Sequence, residues 1–263
     1  MTTDRPSNGD TGRVQTARHL EILRREGALL ASVPADSLGA PVPTVEGWDV
    51  ERVLRHTGKV HQWATGALRL PPTSPLSEIA PLAGIPAGPD CLPAYREALD
   101  ALVAELEARD PAEEAATFVG VRDVAWWARR QAQEVSVHRV DAQDGVHAAG
   151  GPAPDDLAAD GAADGIDEWA RLFLPRRPPT TLEGASVHIH GTDDPAPADG
   201  AEWLLSFGAD SFTVEATHAK GDVALRGPAA DLLLVLWRRR PLDLVDTVGD
   251  RTVAERLLDA AAF

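Results

Sequence analysis

The chain has 263 residues, of which 44% are hydrophobic and 25% are charged, and its formal net charge is -16. A chain of this length forms one large domain or two smaller ones, and its hydrophobic content is enough for an ordinary core. The negative charge argues against a nucleic acid as partner, because phosphate binding needs clustered Lys and Arg side chains. The single cysteine, Cys91, excludes an intramolecular disulfide.

The sequence shows no sign of a membrane segment or a signal peptide. No stretch has the roughly 20 apolar residues that a membrane-spanning helix requires. Residues 1–12 are polar and lack the apolar core of a signal peptide. We therefore expect a cytoplasmic protein with a flexible N-terminus over residues 1–12, and the oligomeric state stays open.

The first part of the chain, residues 13–175, has the apolar spacing of helices. Four long helices are predicted, at residues 13–33, 48–70, 92–109 and 121–146. A shorter helix is predicted at residues 166–174. Four helices joined by loops, two of which are long, indicate a four-helix bundle.

The pattern changes at residue 181, after which apolar and polar residues alternate as they do in strands. Five strands are predicted, at residues 186–190, 202–207, 211–217, 222–226 and 244–248. Two helices are predicted, at residues 229–239 and 251–262. Residues 181–263 should therefore form a small α+β domain, which a Pro- and Arg-rich linker at residues 175–179 joins to the bundle.

Three residues of the helical part could bind a metal ion together. Glu134 and His138 lie four residues apart on the fourth helix, so both side chains project from one face. His56 lies in an apolar stripe of the second helix, which should face the bundle interior. A His, a Glu and a His would leave one position open for water or substrate, as in catalytic zinc sites. In the alternative interpretation, His56 is a core histidine bonded to one neighbour, and Glu134 pairs with Arg130 or with an unrelated residue.

Three nearby residues are interpreted from their helical position. His61 lies well away from the His56 stripe and is predicted to be at the surface or at an edge. Trp63 and Trp127 each share a stripe with a proposed ligand and could line the site, although core packing is the favoured interpretation.

A second set of histidines lies in the other half of the chain. His188 and His190 are two residues apart, so on a strand they share a face. His218 follows in the same half, but no third ligand has a clear spacing. A separate metal site here is therefore an open alternative and not the prediction.

Several segments resemble motifs of the mycothiol-dependent maleylpyruvate isomerase family. Residues 48–56 resemble the motif around that family's first metal ligand, and residues 134–142 resemble its second motif. The family often has His just before the Glu of the second motif, whereas this chain has Gln133. Residues 230–241 and 248–250 are similar to the family's C-terminal domain, so the resemblance covers most of the chain.

The resemblance implies an N-terminal DinB-like four-helix bundle followed by a small α+β domain similar to sterol carrier proteins. It implies a divalent metal, usually zinc, held by His56, Glu134 and His138. It also implies mycothiol as a thiol cosubstrate, which the metal would deprotonate for attack on a small electrophile.

The same motifs contain two arginines that are candidate catalytic residues. Arg139 could bind an anionic group of the substrate, and its alternative is a structural ion pair with Asp141. Arg239 matches an arginine of the family's C-terminal domain and could reach the site. Its alternative is a solvated cluster with Arg238 and Arg240.

The leading hypothesis is a metal-dependent isomerase or S-transferase that uses mycothiol and acts on a small electrophilic substrate. Two alternatives stay open: a non-catalytic metal- or ligand-binding protein, and a hydrolase that activates water at the same metal. The sequence does not identify the electrophile. The choice among zinc, nickel, iron and manganese is also open, although two histidines and a glutamate with an open position favour zinc.

Overall fold

The computed structural model describes residues 8–176, 180–198, 200–209 and 212–261. The chain divides into two compact units, Met1–Asp155 and Asp156–Phe263. The first helix begins at Asn8, inside the segment that the sequence predicts to be flexible. The rest of that predicted segment, residues 1–7, lies outside the described residues.

The first unit is built mainly from helices. Its four long helices are α1 (Asn8–Ala31), α2 (Val50–Leu68), α3 (Cys91–Glu107) and α4 (Val124–Ala148). Helices α1 and α2 each pack against both α3 and α4, so the four helices enclose one hydrophobic core. The predicted helical domain is therefore confirmed. Among the described helices, none is both long and apolar enough to cross a membrane.

A short hairpin precedes α4, where the sequence predicts the first turn of that helix. Strand β1 (Glu114–Thr117) pairs antiparallel with β2 (Gly120–Asp123). The position at which β2 begins favours glycine, because Gly120 has a φ of 88°. The carboxylate of Asp123 then accepts a hydrogen bond from a backbone N–H of the first turn of α4. The predicted start of this helix at residue 121 is therefore too early.

The second unit is an α+β domain, as predicted. Its strands are β3 (Ser186–Gly191), β4 (Glu202–Phe207), β5 (Phe212–Glu215), β6 (Val223–Gly227) and β7 (Asp246–Gly249). They form one mixed sheet in the order β5-β4-β3-β6-β7, in which only β3 and β6 are parallel neighbours among the described strands. Its helices are α5 (Ala159–Glu168), α6 (Ala229–Leu236) and α7 (Arg251–Ala260). Helices α6 and α7 both pack against β3 and β6.

The boundary between the units lies earlier than the sequence predicts. The sequence assigns the chain up to residue 175 to the bundle, whereas residues from 156 onward belong to the second unit. Helix α5 packs against α6, and the side chains of Ile166 and Trp169 are fully buried in the second core. These apolar side chains, and not the Pro-rich segment after them, decide which unit the helix joins. Residues 177–179 of the predicted linker lie outside the described residues.

Candidate metal centre

Three side chains of the first unit converge where α2 packs against α4. His56 comes from α2, and Glu134 and His138 come from neighbouring turns of α4. The Oε1 atom of Glu134 lies 3.1 Å from Nε2 of His56 and 3.5 Å from Nε2 of His138. The structure therefore brings together the three residues that the sequence singles out as metal ligands.

The spacing of these donor atoms suits a metal ion. Ligand atoms bound at about 2.0 Å to a tetrahedral zinc ion lie about 3.3 Å from one another. The two distances from Glu134 Oε1, 3.1 Å and 3.5 Å, lie on either side of this value. Two imidazoles and one carboxylate are also a ligand set that zinc accepts. Within the described part of the chain, three residues offer ligand atoms at this point, which would leave a fourth position for a thiol, water or substrate.

The start of α2 builds one wall of the centre. The side chain of Asp49 caps the helix by accepting a hydrogen bond of 2.7 Å from the backbone N–H of Arg52. Trp48, the residue before this cap, stacks on the His138 ring with centroids 5.7 Å apart and contacts the His56 ring at 5.1 Å. Sequence reasoning did not assign Trp48 to the site, although its place directly before the helix cap of a ligand-bearing helix was a usable signal.

Asp141 fixes the orientation of His138. Its buried carboxylate oxygen Oδ2 lies 2.9 Å from His138 Nδ1. Because Nδ1 is held in this way, Nε2 is the ring nitrogen that faces Glu134 and would face a metal ion. Metal-binding histidines commonly have such a carboxylate partner, which fixes the tautomer and raises the basicity of the ligand. His138 and Asp141 are three residues apart on one helix, and this spacing by itself predicts that their side chains meet.

Glu134 uses its second carboxylate oxygen for an ion pair. Arg130, one turn earlier on α4, donates to Oε2, so the pairing of Glu134 with Arg130 is confirmed, whereas its role as a metal ligand stays a prediction. This pair leaves Oε1 facing the two histidines. Burial alone would raise the pKa of Glu134, but Arg130 and the histidines outweigh burial and hold this pKa well below its usual value. The carboxylate is therefore ionised and able to bind a cation.

His138 carries a proton when no cation is bound. Burial lowers the pKa of its imidazole, but the hydrogen bonds with Asp141 and Glu134 outweigh burial and raise the pKa to about 9. A metal ion must displace this proton, because only the neutral imidazole is a ligand. Metal binding at this centre should therefore release a proton and become tighter as the pH rises.

Arg139 is part of the core between α1 and α4. Its side chain is fully buried, and its Nε donates to Oε2 of Glu26 at 2.6 Å. Its Nη1 donates to the side chain of Gln143 and to the backbone carbonyl of Asp155. The ion-pair partner of Arg139 is therefore Glu26 and not Asp141, and a catalytic role for Arg139 stays a prediction.

The second candidate arginine, Arg239, lies in the other unit. It follows α6, and its Nη1 donates to the backbone carbonyl of Trp237 at 2.8 Å. The neighbouring Arg238 donates to the backbone carbonyl of Leu258. A catalytic role for Arg239 stays a prediction.

His61 and the two tryptophans belong to the core of the first unit. Trp127 is fully buried, donates through Nε1 to the carbonyl of Ala116 at 3.0 Å and contacts the half-buried Trp63. His61 is also fully buried, contrary to its predicted surface position. Helix α3 covers that side of α2, and Nδ1 of His61 lies 2.8 Å from Oε1 of Gln131 on α4.

We expect His61 to make the stability of the first unit depend on pH. Burial lowers its pKa from 6.5 to about 4 in the folded protein, whereas the unfolded chain keeps the ordinary value. Between these two pH values the unfolded state binds one more proton than the folded state. The free energy of unfolding should therefore fall by about 3 kcal/mol as the pH drops from 6.5 to 4, with no contribution from His61 above pH 6.5.

Urea denaturation of the metal-free protein at a series of pH values measures this effect. The variant His61→Gln should have a shallower dependence of unfolding free energy on pH between 4 and 6.5 than the natural chain. His147→Gln changes an exposed histidine of α4 and should keep the natural dependence. Equal pH slopes for His61→Gln and the natural chain would contradict the assignment.

Both units match known protein families. Residues 19–143 match the mycothiol maleylpyruvate isomerase N-terminal domain, and residues 160–256 match the MDMPI C-terminal domain. The chain is similar to the crystal structure of the mycothiol-dependent maleylpyruvate isomerase, with a TM-score of 0.58, and to that of a histidine-to-alanine mutant of it, with a TM-score of 0.59. Both are 15% identical to this chain, and each alignment covers 95% of this chain and 97% of the other.

Among curated proteins, none matches the chain. At 15% identity, the likeness to the solved structures shows a shared fold. The two family matches cover most of the chain and follow one another in the expected order. The chain therefore belongs to the mycothiol maleylpyruvate isomerase family.

Proposed function

We propose that this protein is a metal-dependent enzyme that uses a low-molecular-weight thiol, mycothiol, to attack a small electrophile in an isomerisation or an S-transfer reaction. The observation that carries the proposal is the convergence of His56 Nε2, Glu134 Oε1 and His138 Nε2 at separations that suit zinc. The family supports the choice of thiol, because its solved relatives are described as mycothiol-dependent maleylpyruvate isomerases.

The residues around the centre prepare it for a cation and a thiol. A divalent cation held there would lower the pKa of a coordinated thiol, much as it lowers the pKa of coordinated water. Glu134 supplies the negative charge that attracts the cation, and Asp141 holds His138 in the orientation of a ligand. Trp48 covers one side of the histidine rings. The side chain of His56 is 39% exposed, so a thiol and a substrate can approach from its side.

Metal removal and thiol omission test this function together. Zinc-loaded protein should convert maleylpyruvate, or transfer mycothiol to an activated aryl halide, only when mycothiol is present. Treatment with a chelator should abolish the reaction, and added zinc should restore it. Calorimetry should show mycothiol binding to the zinc-loaded protein and no binding to the metal-free protein.

The other outcomes separate the alternatives. Metal-dependent turnover that needs no thiol would replace the proposal with a hydrolase that activates water. Metal-loaded protein that does not bind mycothiol and converts none of these compounds would overturn the catalytic proposal and leave a binding protein.

A further inference from the structure

A second group of metal-ligating side chains lies on the sheet of the second unit. In the register of β3 and β4, His190 lies directly opposite Glu202. His188 is two residues before His190 on β3, so it projects from the same face of the sheet. Val187 and Ile189 project from the other face into the hydrophobic core. The histidine-bearing face is therefore the face that this core does not cover.

His218 joins the group from the segment between β5 and β6. Its Nδ1 lies 2.6 Å from Oε2 of Glu202, and Nε2 of His188 lies 3.2 Å from the same oxygen. Nδ1 of His190 lies 3.4 Å from the other oxygen of Glu202. The centroids of the three imidazole rings are 5.3 to 5.6 Å apart, so the rings surround one carboxylate.

The four side chains of this group are close enough together to bind one metal ion. One donor atom from each residue can be chosen so that all four lie within 4.8 Å of one another. Nε2 of His188 lies 3.2 Å from Oε2 of Glu202, and Nδ1 of His190 lies 3.4 Å from the other carboxylate oxygen, Oε1. Each of these distances is close to the edge of a tetrahedral zinc site, about 3.3 Å, so rotation of the carboxylate decides which oxygen binds. His218 is closer to Glu202 than this edge, but its side chain is 77% exposed, so a small rotation would bring it to the same distance.

The four residues differ in burial in a way that suits a site at the sheet surface. The side chain of His188 is 7% exposed, and those of His190 and Glu202 are 20% and 29% exposed. Three ligands are therefore fixed by paired strands, and the fourth, His218, comes from the connecting segment above them. A metal ion here would tie that segment to the sheet.

We propose that His188, His190, Glu202 and His218 form a second metal site, which binds one divalent transition-metal ion and prefers zinc. Imidazole and carboxylate ligands suit zinc, nickel and copper, and tetrahedral coordination is the usual choice of zinc. Four protein ligands leave no position for a substrate, so the site is structural. It shares no residue with the first centre, which is formed by His56, Glu134 and His138. This proposal therefore stands independently of the proposed function.

Zinc titration of the full-length His138→Ala variant isolates the second site, because this substitution removes a ligand of the first centre. We expect one tightly bound zinc ion per chain in this background. Adding His218→Ala should weaken that binding by about 100-fold or more, because changes in outer-shell partners alone cost roughly 10- to 100-fold. Because the side chain of His218 is exposed, its substitution should leave the fold intact, and circular dichroism checks this directly.

A second variant and a matched control sharpen the result. Glu202→Gln, which keeps the size of the side chain, should lose the same zinc ion. His147→Ala removes an exposed histidine of the first unit and should leave the binding unchanged. The proposal is overturned if the His138→Ala background binds no zinc, or if its zinc affinity is the same after His218→Ala.

Proteolysis tests the structural role of the ion. The chain contains two lysines, Lys59 and Lys220, so a lysine-specific protease has few cleavage sites. Lys220 is exposed and lies two residues after His218, in the segment that the ion would hold. At a zinc concentration ten times the Kd, cleavage after Lys220 should slow by about tenfold, and His218→Ala should remove this protection. Equal cleavage rates with and without zinc would refute the proposal that a zinc ion holds the segment containing His218 on the sheet.

Discussion

Replacing His138 by alanine should remove the metal ion proposed for the centre formed by His56, Glu134 and His138 and should abolish the proposed thiol-dependent activity. The variant keeps His56 and Glu134, but two protein ligands hold zinc far more weakly than three. We expect the affinity of this centre to fall by about 100-fold or more, and kcat/KM to fall at least as far, because the loss of outer-shell partners alone costs roughly 10- to 100-fold. Metal analysis by plasma mass spectrometry on untagged protein should find one equivalent fewer than in the natural chain.

A variant with a smaller expected effect and a control should be measured beside His138→Ala. Asp141→Asn keeps a hydrogen-bond acceptor beside His138 but removes the charge, so zinc affinity should fall by roughly 10- to 100-fold and activity should recover at high zinc. His147→Ala changes a histidine near the end of the same helix and should behave like the natural chain. Full metal content and full activity in His138→Ala would show that the three residues do not form the centre.

Two of the three candidate metal ligands could be placed together from the sequence because their arrangement depends on local geometry alone. The spacing of Glu134 and His138 places both on one helix face whatever the rest of the chain does. Local geometry does not identify the partner of Arg139. Arg139 follows His138 in the sequence, yet it is rotated by about 100° around the helix and points to a different neighbour. That neighbour, Glu26, is 113 residues away along the chain, and no local pattern identifies it.

The second histidine group could not be assembled from the sequence for the same reason. His188 and His190 share a strand face by simple alternation. Glu202 joins them only because β4 pairs with β3 in one register, and a shift of one residue would turn its side chain to the other face. His218 depends on the course of a connecting segment, which carries no periodic pattern. Contacts between elements, and not the elements themselves, are therefore what the sequence left undetermined.

Breaking the ion pair between Arg139 and Glu26 should strongly destabilise the first unit. The side chains are 0% and 2% exposed, and Nε of Arg139 donates to Glu26 at 2.6 Å. Glu26→Ala would leave the guanidinium buried without its charged partner, and such a loss costs about 3–5 kcal/mol of unfolding free energy. Urea denaturation of the metal-free protein measures this directly, without a contribution from bound zinc.

The double variant Glu26→Leu/Arg139→Met separates the ion pair from packing. The double variant replaces both charged side chains with apolar ones, so it leaves no buried charge without a partner. It should therefore be clearly more stable than Glu26→Ala, which removes one charge of the pair and leaves the other buried. If Arg139 instead bound an anionic substrate, Glu26→Ala would unfold at the same urea concentration as the natural chain, and Arg139→Lys would raise KM without lowering stability. The burial of the ion pair favours a loss of stability in Glu26→Ala, because a guanidinium with no exposed surface cannot contact a substrate unless α1 and α4 separate.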